Sequence, residues 1–206
     1  MKNILLATLY LLCGSLPLLH GQTDTTDRPM RRHFVSTSAF MLVNLLPIND
    51  PPRFFQVNVG YRITSRDVLI AEAITWQYFA PLGIPYGPSY GDSQAFFPGI
   101  VRDYGVGLAY QRFWWKGLYT TAHATPFIQQ YLRPDKTVIQ TGFQLFLTGR
   151  AGYHLTLFGD RCFVEPSVAF THWPVNTHMP AAFQAQEDRW PNYFLFEPGL
   201  HCGVKF

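Results

Sequence analysis

The sequence predicts an all-β fold, an eight-stranded antiparallel up-and-down transmembrane β-barrel, on three observations. Apolar and polar residues alternate in segments of about ten residues, the length and period of strands that cross a bilayer. The connections between these segments alternate between tight turns and longer loops, as strands that shuttle between two sides of a membrane require. Apolar residues make up 48% of the chain and charged ones only 14%, against roughly a quarter in soluble domains. Beyond the N-terminus no stretch approaches the ~18 consecutive apolar residues of a membrane helix. The 17% aromatic content points the same way, because ring side chains favour the boundary between headgroups and hydrocarbon.

Met1-Lys2-Asn3 is a short basic start and Ile4 to Leu12 an almost unbroken apolar run. The turn-prone Gly14-Ser15-Leu16-Pro17 follows, and Leu19-His20-Gly21 offers a small residue before Gln22, the form of a secretory signal. Residues 1–21 are therefore expected to be a signal peptide, residues 22–32 an N-terminal periplasmic segment and residues 33–206 the barrel. Acylation at Cys13 would need a small residue before it, and Leu12 stands there. A net charge of +3 from dispersed Lys and Arg leaves no nucleic-acid footprint.

The predicted strands span residues 33–45, 53–64, 67–80, 102–115, 118–131, 138–157, 161–173 and 192–206. In the second, Phe55, Val57, Val59, Tyr61 and Ile63 oppose Gln56, Asn58, Gly60, Arg62 and Thr64. In the fourth, Tyr104, Val106, Leu108 and Tyr110 oppose the small Gly105, Gly107 and Ala109 with Gln111, a face suited to a narrow interior. Val164, Val168 and Phe170 oppose Glu165, Ser167, Ala169 and Thr171 in the seventh. The third is least regular, since Ile70, Ile74, Trp76 and Tyr78 share a face with Glu72. Short turns fall at Ser65-Arg66, Lys116-Gly117 and Gly159-Asp160, and longer connections at 47–51, 81–101, 132–136 and 174–191. In the last strand Phe194, Phe196, Leu200, Cys202, Val204 and Phe206 oppose Glu197, Gly199, His201, Gly203 and Lys205. Pro166 and Pro198, which cannot donate a ladder bond, are expected at bulges or unpaired amides.

This alternating final strand ending in Phe206, coupled to an export signal, resembles that of small eight-stranded bacterial outer-membrane β-barrel proteins. The resemblance is to the class and covers the mature chain at the level of pattern. It implies the bacterial outer membrane as location, outer-membrane lipids and lipopolysaccharide as surroundings, and recognition of the strand ending at Phe206 by the barrel-assembly machinery. It also admits a second reading, since some such barrels are lipid- or lipopolysaccharide-modifying enzymes with a Ser, a His and an acid near the outer leaflet. Ser167 is the inward serine of the seventh strand and Ser36 and Ser38 lie on the first, and no serine stands in a nucleophile motif. A secreted, soluble lipocalin-like lipid binder is a third, distinguished by apolar faces turned inward. The leading expectation is a non-enzymatic integral membrane protein acting through its outer loops.

Arg62, His123, Arg150, Glu165, Glu197 and His201 fall on inferred inward faces. Charges enclosed in an interior barely wide enough for side chains must pair, so these six read as a structural salt-bridge and hydrogen-bond network before a catalytic pair. No His, Cys or carboxylate cluster shows metal-ligand spacing, and no cofactor is expected. Cys162 and Cys202 come nearly opposite one another on the last two strands; a cross-strand disulfide and two small lipid-facing hydrophobes are equal readings. Tyr86, Tyr90, Phe96 and Phe97 in the second long loop are candidate ligand-binding or surface aromatics.

Overall fold

The computed structural model describes residues 31–47, 51–78, 99–188 and 191–206. The candidate signal peptide and the loop aromatics Tyr86, Tyr90, Phe96 and Phe97 lie outside the described residues. The chain is all-β, a single antiparallel sheet of nine strands: β1 (His33–Ser38), β2 (Phe55–Arg62), β3 (Asp67–Tyr78), β4 (Ile100–Trp115), β5 (Leu118–Leu132), β6 (Val138–Tyr153), β7 (Leu155–Leu157), β8 (Cys162–Thr177) and β9 (Tyr193–Lys205). Each strand pairs with its sequence neighbour, and β1 returns to pair with β9. β7 continues β6 past His154, and both pair with β8, so the nine strands form a ring of eight. Among the described residues no helix is long and apolar enough to cross a membrane.

Burial follows the period-two pattern with its usual polarity reversed. Gln56, Asn58, Glu72, Gln111, Gln129, Gln144 and Thr171 are buried inside the ring, while Val59, Leu69, Val106, Leu108 and Ile128 stand exposed outside it. The contrast is sharp on adjoining strands: Glu72 is 4% exposed and Leu108 71%. Along β4 the inward positions are small because β5 presses close. A Cβ added to Gly107 would stand 2.5 Å from Thr125 Oγ1 and 2.6 Å from His123 Nε2.

The turns at one end of the ring are tight. Lys116 and Gly117 both take positive φ (43° and 93°), the two-residue hairpin geometry whose twist matches antiparallel strands. In the Thr64–Asp67 turn the Thr64 hydroxyl donates to Asp67 Oδ2 and accepts from the Arg66 and Asp67 amides. At the other end the short helix α1 (Ala181–Glu187) follows Pro180 inside the connection expected to be loop. It docks through Phe183, which packs edge-on against Tyr131 at 5.2 Å and is 1% exposed.

Two expectations are corrected. The first strand, read over 33–45, stops at Ser38, where the chain turns into a 3₁₀ helix over Ala39–Leu45. Ser38 caps that helix by accepting from the Phe40 amide, and the following apolar run lacks the alternation a strand needs. The Asn44 side chain clasps the Phe54 backbone, donating to its oxygen and accepting from its nitrogen, in place of strand pairing. In the last strand, Phe194 faces inward. A register shift opposite Ala169/Thr171, with Phe196 at φ 60°, changes the pleat, so the outward ribbon runs from Pro198 through Leu200, Cys202 and Val204 to Phe206. Pro166 sits at the break in pairing between β6 and β7, and Pro198 where β9 has no β1 partner.

Candidate functional site

The interior is layered. At the end where Arg31 and Phe206 lie, His154 Nδ1 lies 2.6 Å from Glu165 Oε1, Gln111 donates to the same oxygen, and Lys205 pairs with Asp160. The Arg62 guanidinium stands over the Phe113 ring at 4.7 Å, and His154 stacks on Phe163 at 4.8 Å. Phe163 packs edge-on against Phe34 at that end.

The middle layer is polar. Glu72 accepts from Gln56 and, at 3.1 Å, from Thr125, and its Oε1 is 3.3 Å from His123 Nε2. The Arg150 guanidinium donates to Ser167 Oγ at 2.9 Å, and that hydroxyl donates on to the Gly199 carbonyl. Beyond this layer lies an aromatic one. Trp76 stacks on Phe127 and meets Phe146 edge-on, Phe146 stacks on Trp173 at 5.5 Å, and Phe54 bridges Trp76 to Phe40. Trp76 also donates its indole N–H to Asp103, and Thr171 donates to Glu197 at 2.8 Å. Tyr131, Val101 and Phe183 pack together at the loop end.

Comparison with known protein families, with curated proteins and with solved structures finds no match to this chain. The site is therefore read from its own geometry.

The six candidate network residues all face the interior, but among the described residues they do not form one connected set. His123 meets Glu72, Glu165 meets His154 and Gln111, Glu197 meets Thr171, Arg150 meets Ser167, and Arg62 meets Phe113 and the Ser65 carbonyl. His201 lines a cavity of about 430 Å³ together with His123, Arg150, Glu165 and Glu197, while Arg62 is not among its lining. That cavity departs from the expected side-chain-filled interior. Ser36, Ser38, Ala109 and Gly199 are too small to fill their share of the ring, and β1 ends before its wall is complete.

Glu72 and His154 also carry enclosed polar contacts, and buried Lys205 pairs with the more exposed Asp160 at the rim. Continuing the inward series Arg150, Gly152 would have reached His154. Glu72 was masked by its apolar face-mates Ile70, Ile74 and Trp76, which belong to the interior.

Ser167 is held by a guanidinium rather than by a base, and Ser38 is engaged as a helix cap. No group of three or more His, Cys, Asp or Glu among the described residues could hold a metal ion. Both thiols are free. Cys162 pairs with Val204 and Cys202 with Val164, a diagonal two residues out of register. Such diagonal neighbours stand ~7–8 Å apart, beyond the usual disulfide span.

Outside the ring, the outward positions of β4 from Tyr104 to Tyr110 and their counterparts on the other strands carry no Asp, Glu, Lys or Arg. Phe55, Tyr104 and Phe143 are linked by register into one aromatic row, and Tyr61 and Tyr110 into another. Arg102 and Arg112, the charged residues that bound this stretch on the same face of β4, are ten residues apart, about 34 Å along the strand and roughly 26 Å along the ring axis at a tilt of ~40°. The outermost charged pair, Arg112 with Asp67 at 2.7 Å, lies beside the tight turns.

In α1, Glu187 accepts from the Trp173 indole at 2.9 Å. Burial, reinforced by the neighbouring Asp188 charge and only partly offset by that hydrogen bond, pushes the Glu187 carboxyl up to about 7.

Proposed function

We propose that the chain is an integral β-barrel of the bacterial outer membrane, non-enzymatic, with its uncharged outer wall against lipid and its loop end available for surface or envelope interactions. One observation carries this reading: greasy side chains such as Val106 and Leu108 point out while Glu72, Gln129 and Thr171 are enclosed. In water this arrangement would expose apolar surface on every strand and bury polar groups, the least favourable distribution available to the sequence. In lipid it is the favourable one, because a closed ring leaves no unpaired strand edge to hydrocarbon wherever pairing is complete. The height of the uncharged band matches the ~25 Å apolar belt of such barrels.

A soluble lipid binder needs the opposite sidedness, and the exposed ribbon from Leu200 to Phe206 weighs against it. The lipid-modifying reading needs a serine poised on a base, and the contacts of Ser167 and Ser38 do not favour it.

The test is cell fractionation followed by gel migration with and without boiling. The protein is expected in the outer-membrane fraction, migrating as a compact species until boiled. A soluble product with no heat-dependent shift would refute the proposal.

A further inference from the structure

The interior cavity lies between two sets of packed rings. Phe34 and Phe163 pack at the Phe206 end, and Tyr131 with Phe183 at the loop end. The wall, however, has a seam. β1 pairs with β9 only as far as Ser38 opposite His201, so Tyr193 to Leu200 of β9 have no β1 neighbour. The 3₁₀ helix fills this gap and lies alongside β9, but its side-chain anchor, Asn44, holds it to Phe54 on the other side. Among the described residues no hydrogen bond joins the 3₁₀ helix to Tyr193–Leu200. Phe40, Pro198 and Leu200 from the two sides of the seam line the cavity.

The lining is divided as an amphiphile is. Phe40, Phe54, Ile74, Trp76, Phe127 and Phe146 make its loop-side half, and the polar layer makes the other. In that layer Glu72, Glu165 and Glu197 each accept hydrogen bonds from neighbours. Arg150 has no carboxylate within ion-pair distance among the described residues; its one hydrogen bond is to Ser167. The guanidinium stands against Gly199, where an added Cβ would collide with it, so it lies directly beside the seam. At about 430 Å³ the cavity is within the size range of small-molecule sites.

The geometry points to a binding site for a single-chain carboxylate amphiphile, a long-chain fatty acid, with its head on Arg150 and its chain against the aromatic layer. The ligand enters sideways through the seam between the 3₁₀ helix and Tyr193–Leu200. The head is recognised by an otherwise unpaired guanidinium suited to two parallel N–H···O bonds. The chain replaces void with contact along Trp76 and Phe146. Lateral entry rests on the membrane reading above; the site itself does not.

The experiment uses the protein in dimyristoylphosphatidylcholine nanodiscs, with a stearate brominated at mid-chain as a quencher of Trp76. Saturable quenching is expected, reduced in Trp76→Phe, where Trp173 behind Phe146 still reports the chain, and about tenfold weaker in affinity with the equivalent brominated alcohol. Arg150→Gln should weaken binding about tenfold, the loss of one charge-assisted contact. Thr148→Phe, which fills the cavity from β6, should abolish it. A fatty acid carrying a diazirine near its carboxyl should label Ser38–Met41 and Phe196–His201. Retained heat-dependent migration certifies that each variant is folded and separates failure of the site from failure of the membrane assignment. Non-saturable quenching equal in the unsubstituted protein, Arg150→Gln and Thr148→Phe, or labelling confined to α1 or the Lys205 end, would overturn the proposal.

Discussion

Glu72 and His123 meet inside the ring across an intervening strand, Oε1 to Nε2 at 3.3 Å, with Gln56 and Thr125 completing the carboxylate's partners. Removing the carboxylate takes an acceptor from all three, leaving Gln56 with Asn58 and Thr125 with His123. Glu72→Ala is expected to destabilise the fold by about 1–3 kcal/mol, the cost of leaving buried donors without their acceptor. Glu72→Gln, which keeps hydrogen-bonding capacity, should lose less. Urea unfolding in lipid vesicles measures both, and equal stability of Glu72→Ala and the unsubstituted protein would contradict the network.

The loop end responds to pH through Glu187. Its folded value of about 7 stands above the ordinary 4.5, so neutral Glu187 stabilises α1 docking fully below about 4.5. That stabilisation is lost as pH rises through about 7. Hydrogen exchange at Ala181–Glu187, corrected for the intrinsic rate, should therefore be faster at about pH 8.5 than at about pH 5.5. Glu187→Gln should flatten the difference; greater protection at the higher pH would contradict the sign.

Phe183 is the apolar anchor of the same helix. Phe183→Ala should cost about 3 kcal/mol of docking, the usual penalty for emptying an aromatic site. The effect should appear as lost exchange protection over α1 with the strands still protected. Loss of protection throughout the ring would mean that α1 is integral to the sheet's stability.

Register alone separates Cys162 from Cys202, and both are free. Thiol titration of the protein, denatured without reductant, should find Cys162 and Cys202 both reactive. Finding neither would require the β8–β9 pairing to slip by two residues.

The strands were legible wherever side-chain size and polarity alternated together. On β4, Gly105, Gly107 and Ala109 against Tyr104, Val106 and Leu108 leave one solution for which face is crowded. The 3₁₀ helix was not legible, because Ala39–Leu45 is apolar on all sides and its end as a strand depends on the Ser38 cap and the Asn44 clasp. Phe194 was misassigned because a single bulge reverses every facing beyond it. The inward placement of Arg150, His123 and His201 followed from alternation. The cavity between them did not, since it depends on how the whole ring closes and on where β1 stops.

The central claim is sidedness, and spin labels test it directly. In Cys162→Ser/Cys202→Ser protein reconstituted in phospholipid vesicles, nitroxides at Leu108→Cys and Ile128→Cys are expected to collide with dissolved oxygen and be shielded from a water-soluble nickel chelate. Greater exposure to the chelate than to oxygen at both positions would place the outer face in water and contradict the account.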